Sequence, residues 1–115
     1  MKEFRIRLAD EPGAMADHLD AIAAEGVNIL AIAGVGDDHA TAAILADNPE
    51  ATRKALEGIG ADFTEAQLKT ATLPHEPGAL AEFTRGLGNA GLNLRSMYVI
   101  STNEKTATIG YTTDG

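Results

Sequence analysis

The sequence predicts an α+β protein built twice from one unit, with antiparallel strands and helices on one face of the sheet. Three observations carry the prediction. The chain opens on a segment with period-two alternation; two helical stripes start at a Pro-Gly pair and stop at a glycine; and the sequence repeats itself at a separation of 65 residues. The shift lays Asp10-Glu11-Pro12-Gly13-Ala14 on His75-Glu76-Pro77-Gly78-Ala79, and the register is expected to hold without a gap as far as Tyr111. Positions 8 to 46 against 73 to 111 give 11 identities in 39, among them Gly26/Gly91, Asn28/Asn93, Thr41/Thr106, Ala42/Ala107 and Ile44/Ile109. Unrelated sequences would give roughly 2 or 3 at average residue usage, so the unit is duplicated.

Each element has its own warrant. In residues 3–9, Phe4, Ile6 and Leu8 alternate with Arg5 and Arg7, the pattern of a strand with one buried face. Pro12 is placed as the first residue of a helix, since its fixed φ suits that position and its missing N–H is not needed there. Met15, His18, Leu19, Ile22 and Ala23 then recur at helical spacing, and Gly26 ends the helix in a left-handed cap. Residues 28–35 and 40–46 read as strands joined by a turn at Gly36-Asp37-Asp38. Asn48 caps a second helix that starts at Pro49 and runs to Gly58 or Gly60. In residues 63–73, Phe63, Ala71 and Leu73 share one parity and Leu68 the other, which predicts a bulge or break near Gln67.

The second unit repeats this scheme. A helix starts at Pro77 with Leu80, Phe83 and Leu87 inward, Gly91 caps it, and strands cover 92–100 and 105–111 around a turn at Thr102-Asn103-Glu104. The chain then stops where a further helix is expected. The order βαββαβ followed by a truncated βαββ is the split-βαβ, ferredoxin-like topology, with one unit at 1–66 and the other at 67–115.

Composition closes several classes of function. With no cysteine there is no disulfide, thiolate metal site or cysteine nucleophile. A formal charge of −8 opposes binding to phosphate backbones, which needs clustered Lys and Arg, so no nucleic-acid partner is expected. No apolar run approaches the ~20 residues of a membrane-spanning helix, and the start lacks a secretory apolar core, so the expectation is a cytoplasmic protein without a membrane partner. His18, His39 and His75 show no metal spacing, and no nucleophile–base set or carboxylate pair can be assembled; the expectation is no metal, no cofactor and no catalysis.

The chemistry is expected at the Pro-Gly loops. A strand ends in a polar residue two before proline, Asp10 or His75, and the loop opens a helix whose first N–H groups, near Gly13-Ala14 and Gly78-Ala79, carry the positive end of the helix dipole. Such a position suits a carboxylate, and glycine lets a ligand approach the backbone. Asp10 or His75, with the side-chain oxygen of Asn28 or Asn93 at the start of the following strand, would accept from an ammonium group. Together these groups match an amino-acid zwitterion. The plainer account, a strand-to-helix turn with no ligand, fits either half taken alone.

The motifs Asp-Glu-Pro-Gly-Ala with Gly-Val-Asn-Ile, and His-Glu-Pro-Gly-Ala-Leu with Gly-Leu-Asn-Leu, resemble the ACT domain, a family of small regulatory amino-acid-binding modules. Residues 95–98, Arg-Ser-Met-Tyr, are similar to stand-alone tandem members of that family. The resemblance implies a non-catalytic regulator that holds an amino acid at an interface between units. It implies a site drawn from Asp10, Glu11, Pro12, Gly13, Ala14, Asn28 and Ile29, and from His75, Glu76, Pro77, Gly78, Ala79, Leu80, Asn93 and Leu94. The missing last helix and strand of the second unit would leave part of a sheet face and one edge unprotected, which predicts a homodimer, and the module is expected to signal through assembly or a regulated protein partner. Neither unit has the asparagine that is frequent two before the proline in the family. The alternatives are a dimerising adaptor of the same fold without ligand and, further off, a small enzyme such as an acylphosphatase, for which neither loop supplies an arginine.

Overall fold

The computed structural model describes residues 1–114; the last position of the expected second unit, Gly115, lies outside them. The chain divides into two units, Met1–Gln67 and one that begins at Leu68.

The first unit runs β1 (Lys2–Leu8), α1 (Ala14–Ala24), β2 (Ile29–Gly36), β3 (Ala40–Ala46), α2 (Pro49–Gly58) and β4 (Asp62–Gln67). Its strands lie in the order β2-β3-β1-β4, and every neighbouring pair is antiparallel. The alternation in β1 sets the face: Phe4 and Ile6 are fully buried opposite Ile44 and Ala42 of β3. Against that face pack Ala14 and Ile22 from α1, and Ala55 and Leu56 from α2. Full burial of one such side chain stabilises by roughly 1.5–3 kcal/mol. On the opposite face of β1, Glu3 is fully buried and accepts from Arg5 Nη2 at 2.7 Å, so the burial of this carboxylate is offset by a charge-assisted bond.

Asn48 caps α2 as the sequence predicts. Its backbone is extended, its Oδ1 accepts from the Ala51 N–H at 3.1 Å, and Pro49 is the first helical residue. The parity change near Gln67 proves to be a passage between sheets rather than a bulge. β4 ends at Gln67, the next strand begins at Lys69, and Leu68 between them is buried.

The second unit runs β5 (Lys69–Pro74), α3 (Ala79–Asn89), β6 (Asn93–Thr102) and β7 (Thr106–Asp114), in the sheet order β5-β7-β6. This reproduces β1-β3-β2 of the first unit. Two expectations are corrected here. The repeat is not free of gaps: Phe4 faces Ile44, whereas its counterpart Lys69 faces Tyr111, and Gly34 faces Ala42, whereas Val99 faces Ile109. Both comparisons give 111 − 44 = 109 − 42 = 67, so β7 corresponds to β3 at 67 residues, not 65. The second hairpin absorbs the difference, partly through an irregularity between Val99 and Ser101. Thr41/Thr106, Ala42/Ala107 and Ile44/Ile109 are therefore not structural counterparts. Because the difference between 67 and 65 is an even two residues, the inward set keeps its face, and Ile109 stands where Ala42 does.

The second correction concerns α3, none of whose residues is buried. Leu80, expected inward, is 42% exposed. Its counterpart Met15 lies over Gly34 of β2, an edge strand, and beyond an edge the sheet offers no further layer. Phe83 is half-buried and meets Tyr111 edge-on, with ring centroids 5.2 Å apart.

Candidate functional site

Each Pro-Gly loop is a type II turn set directly before a helix. Gly13 has φ 86° and ψ −8°, Gly78 has φ 90° and ψ −14°, and in both the fourth residue's N–H returns to the first residue's carbonyl: Ala14 to Glu11 and Ala79 to Glu76, each at 3.3 Å. Proline favours the second position of this turn, and the third needs the positive φ that glycine adopts without a clash. The helices therefore start two residues later than Pro12 and Pro77. Gly13 is the N-cap of α1 and Gly78 that of α3, through bonds from Asp17 N–H at 3.0 Å and Glu82 N–H at 2.9 Å to their carbonyls.

This geometry changes which amides are available. The N–H groups of Ala14 and Ala79 close the turns. Among the described residues, no backbone acceptor meets the N–H of Gly13, Met15 or Ala16, nor that of Gly78, Leu80 or Ala81. These uncommitted donors at the positive end of a helix dipole favour negative charge, each such contact by about 0.3–1 kcal/mol at an exposed position.

The first turn borders a cleft of about 390 Å³. Residues 8–12 with Ala14 and Met15 form one side, and Gly34, Val35 and Gly36 of β2 with Ala40 and Thr41 of β3 form the other. The ladder explains the meeting: Leu8 faces Ala40, and Ala40 faces Gly36, so the end of β1 and the β2–β3 hairpin lie at one end of the sheet. Asp10 and Glu11 bring two carboxylates to the lining, and Leu8 and Met15 supply apolar surface; Val35 and Thr41, which face each other between the Gly34–Ala42 and Gly36–Ala40 pairs, turn their side chains to the other face of the sheet. Lysine, arginine and histidine are absent from the lining.

The same ladder separates residues that the sequence suggested would meet. Ile29 faces Ala46, at the far end of the sheet, and Asn28 precedes it. Along a strand of this length Asn28 stands roughly 20 Å from Asp10 in the same unit. Its backbone is committed there: the Asn28 N–H donates to Asp47 Oδ1, and the Asn28 carbonyl accepts from the Asp47 N–H, both at 3.1 Å. In the second unit, Asn93 Nδ2 donates to Asp114 Oδ2 at 3.4 Å. Within one unit, then, asparagine and turn do not converge, because the intervening helix returns the chain to the opposite end of the sheet before the next strand starts.

The second turn borders a different space. A groove of about 580 Å³ runs from Leu73 and Pro74 past Glu76, Pro77 and Gly78 along Ala79, Glu82, Phe83, Gly86 and Leu87 of α3. The counterpart face of α1 in the first unit is occupied, since α1 and α2 pack there and Ala14 and Ile22 are buried. His75, Leu80, Asn93 and Leu94 are not among the residues that line this groove, as Gly13, Asn28 and Ile29 are not among those lining the first cleft. Gly34, Gly36, Ala40 and Thr41 were not singled out from the sequence as site residues; the pairing of Leu8 with Ala40 is the signal that would have found them. His18 is accounted for by its helix, with Nδ1 2.7 Å from the Ala14 carbonyl oxygen. Among the described residues, no cluster of three or more His, Asp or Glu could hold a metal, and no helix is long and apolar enough to cross a membrane.

No protein-family model matches this sequence, and no curated protein does. Solved structures do. The protein BT0572 from Bacteroides thetaiotaomicron is similar at a TM-score of 0.84 and 21% identity, covering 99% of this chain and 79% of that one. The regulatory subunit of aspartate kinase from Thermus thermophilus, in its ligand-free form, is similar at 0.73 and 16% identity, over 96% of this chain and 82% of that one. A structure of aspartokinase alpha and beta subunits is similar at 0.73 and 18%, over 96% and 81%. At such identities the likeness is one of fold, and the fold is that of the ACT domain.

Proposed function

We propose that this protein is a regulatory module that binds a small amino acid in the cleft of its first unit and transmits occupancy through assembly or contact with a protein partner. One observation carries the reading: the amides of Met15 and Ala16 are uncommitted at a helix start, beside a cleft whose rim bears the carboxylates of Asp10 and Glu11. Donors for an acid group and acceptors for an amine thus stand together, the pairing a zwitterion requires. The likeness in fold to a regulatory subunit of aspartate kinase supports the regulatory part of the reading. Each helix-end contact contributes little, so micromolar affinity, about 8 kcal/mol, requires several to act at once.

Isothermal titration of the protein against each of the common amino acids tests this. Heat of binding with at least one, lost in an Asp10→Ala/Glu11→Ala double variant, is the expected result; no heat with any removes the reading.

A homodimer fits the same reading. β2 is an edge strand, and its Leu30 and Ile32 are each 45% exposed, an apolar edge of the kind that proteins cover. Light scattering at micromolar concentration is expected to give twice the mass of the chain. The adaptor reading has one observation in its favour, namely that Asn28 and Asn93 have structural partners in Asp47 and Asp114. It gains if titration shows no heat while the dimer persists.

A further inference from the structure

Gly34 and Val99 are counterparts in both sequence and structure. They stand 65 residues apart, and they face Ala42 and Ile109, which correspond at the strand offset of 67 derived above. On the helix-covered side of its sheet, Gly34 leaves the space into which the Met15 side chain lies: a Cβ at this position would come within 2.9 Å of Met15 Cε. That space is part of the first cleft, for Met15, Gly34 and Gly36 all line it. In the second unit the same place on the sheet bears the branched side chain of Val99, with Leu80 in the position of Met15 and Thr102, which faces Ala107 as Gly36 faces Ala40, in that of Gly36. The free space next to the second turn lies instead along α3 and Leu73. Two turns of one geometry are thus set beside different surroundings: the first unit has α2 against α1 and a glycine on its edge strand, the second an open flank of α3 and Val99 on its edge strand.

We propose that Gly34 admits the ligand to the first unit and that Val99 closes the equivalent place in the second, so that each chain takes one amino acid, with a small uncharged side chain. This rests on the reading of the cleft as an amino-acid site. The side-chain class follows from the lining: Leu8 and Met15 offer apolar surface, no cation is present to balance an acidic side chain, and the space over Gly34, which the end of Met15 fills, is small. Met15 is unbranched and flexible, so its end can swing from Gly34 as the ligand enters. A β-branched side chain fixed at position 34 cannot yield in that way.

The test is a titration of the full chain with glycine, L-alanine, L-serine, L-threonine and L-valine, followed by the same titration of Gly34→Val and Val99→Gly. The expected result is one site per chain, a loss of at least tenfold in affinity in Gly34→Val, and unchanged affinity of that site in Val99→Gly. Amide chemical shifts followed during titration of the unaltered protein need no variant to fold. They are expected to move in residues 10–16 and 34–41 and to stay in place in 75–81. Two sites per chain, shifts in 75–81, or undiminished binding by a folded Gly34→Val overturns this inference and leaves the amino-acid reading standing. No binding of any of the five, when titration finds another amino acid that binds, overturns the side-chain class; no binding of any amino acid at all removes the reading and this inference with it.

Discussion

Arg53 and Glu65 meet side on: Arg53 Nε donates to Glu65 Oε2 and Arg53 Nη2 to Oε1, each at 2.6 Å, which ties α2 to β4 across the end of the first unit. The bidentate bond is the main cause of two displacements, a Glu65 carboxyl held below its ordinary value of 4.5 and an Arg53 guanidinium held above its own. A carboxyl depressed in the folded state adds stability that is complete above its unfolded-state value and is lost as pH falls through the folded one. The acid limb of the stability curve is therefore expected to be shallower in Glu65→Gln. The variant should be less stable than the unaltered protein at pH 7, with the difference closing as pH falls below 4.5; denaturant melts from pH 7 to 3 measure this. A difference that persists undiminished at pH 3 would assign the effect to packing.

Asn48 supplies the cap on which α2 starts, its Oδ1 accepting from Ala51 N–H at 3.1 Å. Replacing it with alanine leaves that donor to water and is expected to destabilise the protein by about 1 kcal/mol, and replacing it with aspartate by much less. Urea midpoints of the two variants check the ranking.

Most of this fold could be read from the residues because its signals are local. Phe4, Ile6 and Leu8 alternate, Asn48-Pro49 starts a helix by geometry that two residues suffice to set, and Gly26 takes the φ of 72° expected of a left-handed cap. What escaped reading depends on pairing. Lys69 faces Tyr111, not Ile109, because the second hairpin is longer, and hairpin register is fixed by turn conformation rather than by residue identity. Pro12 and Pro77 looked like first helical residues because proline serves the second position of a turn and the start of a helix equally well; the positive φ of the next glycine decides between them. The site was half legible. The turns carry their own motif, but the Gly34–Thr41 side of the cleft is brought to Asp10 by the ladder, and the same ladder takes Asn28 away.

Ile22 and Leu87 are counterparts that the two units treat differently. Ile22 is fully buried between α1 and the sheet, whereas Leu87 is half-buried along the open flank of α3. Ile22→Ala removes a side chain that its surroundings cannot replace and is expected to cost about 2–5 kcal/mol, while Leu87→Ala should fall below that range because water already reaches the site. Equal losses for the two variants in denaturant melts would mean that the flank of α3 is covered in solution.

Gly13→Ala and Gly78→Ala separate the fold of the turns from their function. At φ values of 86° and 90° a Cβ is strained whatever the space around it, and each substitution is expected to cost about 1–2 kcal/mol, although a Cβ at either position would meet no atom within 4 Å. Because the two turns share one geometry, the stability losses should be alike. Binding should not be. In the first unit, relaxing the strain means rotating the peptide that leads into the uncommitted amides of Met15 and Ala16, so on the proposed reading of the cleft Gly13→Ala should weaken amino-acid binding severalfold at a temperature where the variant is fully folded. Gly78→Ala should leave binding unaltered, since the space beside its turn lies along α3 and the place equivalent to Gly34 is held by Val99. Melting curves followed by titration of both variants give the two rankings. Equal loss of binding in both would place ligand at both turns.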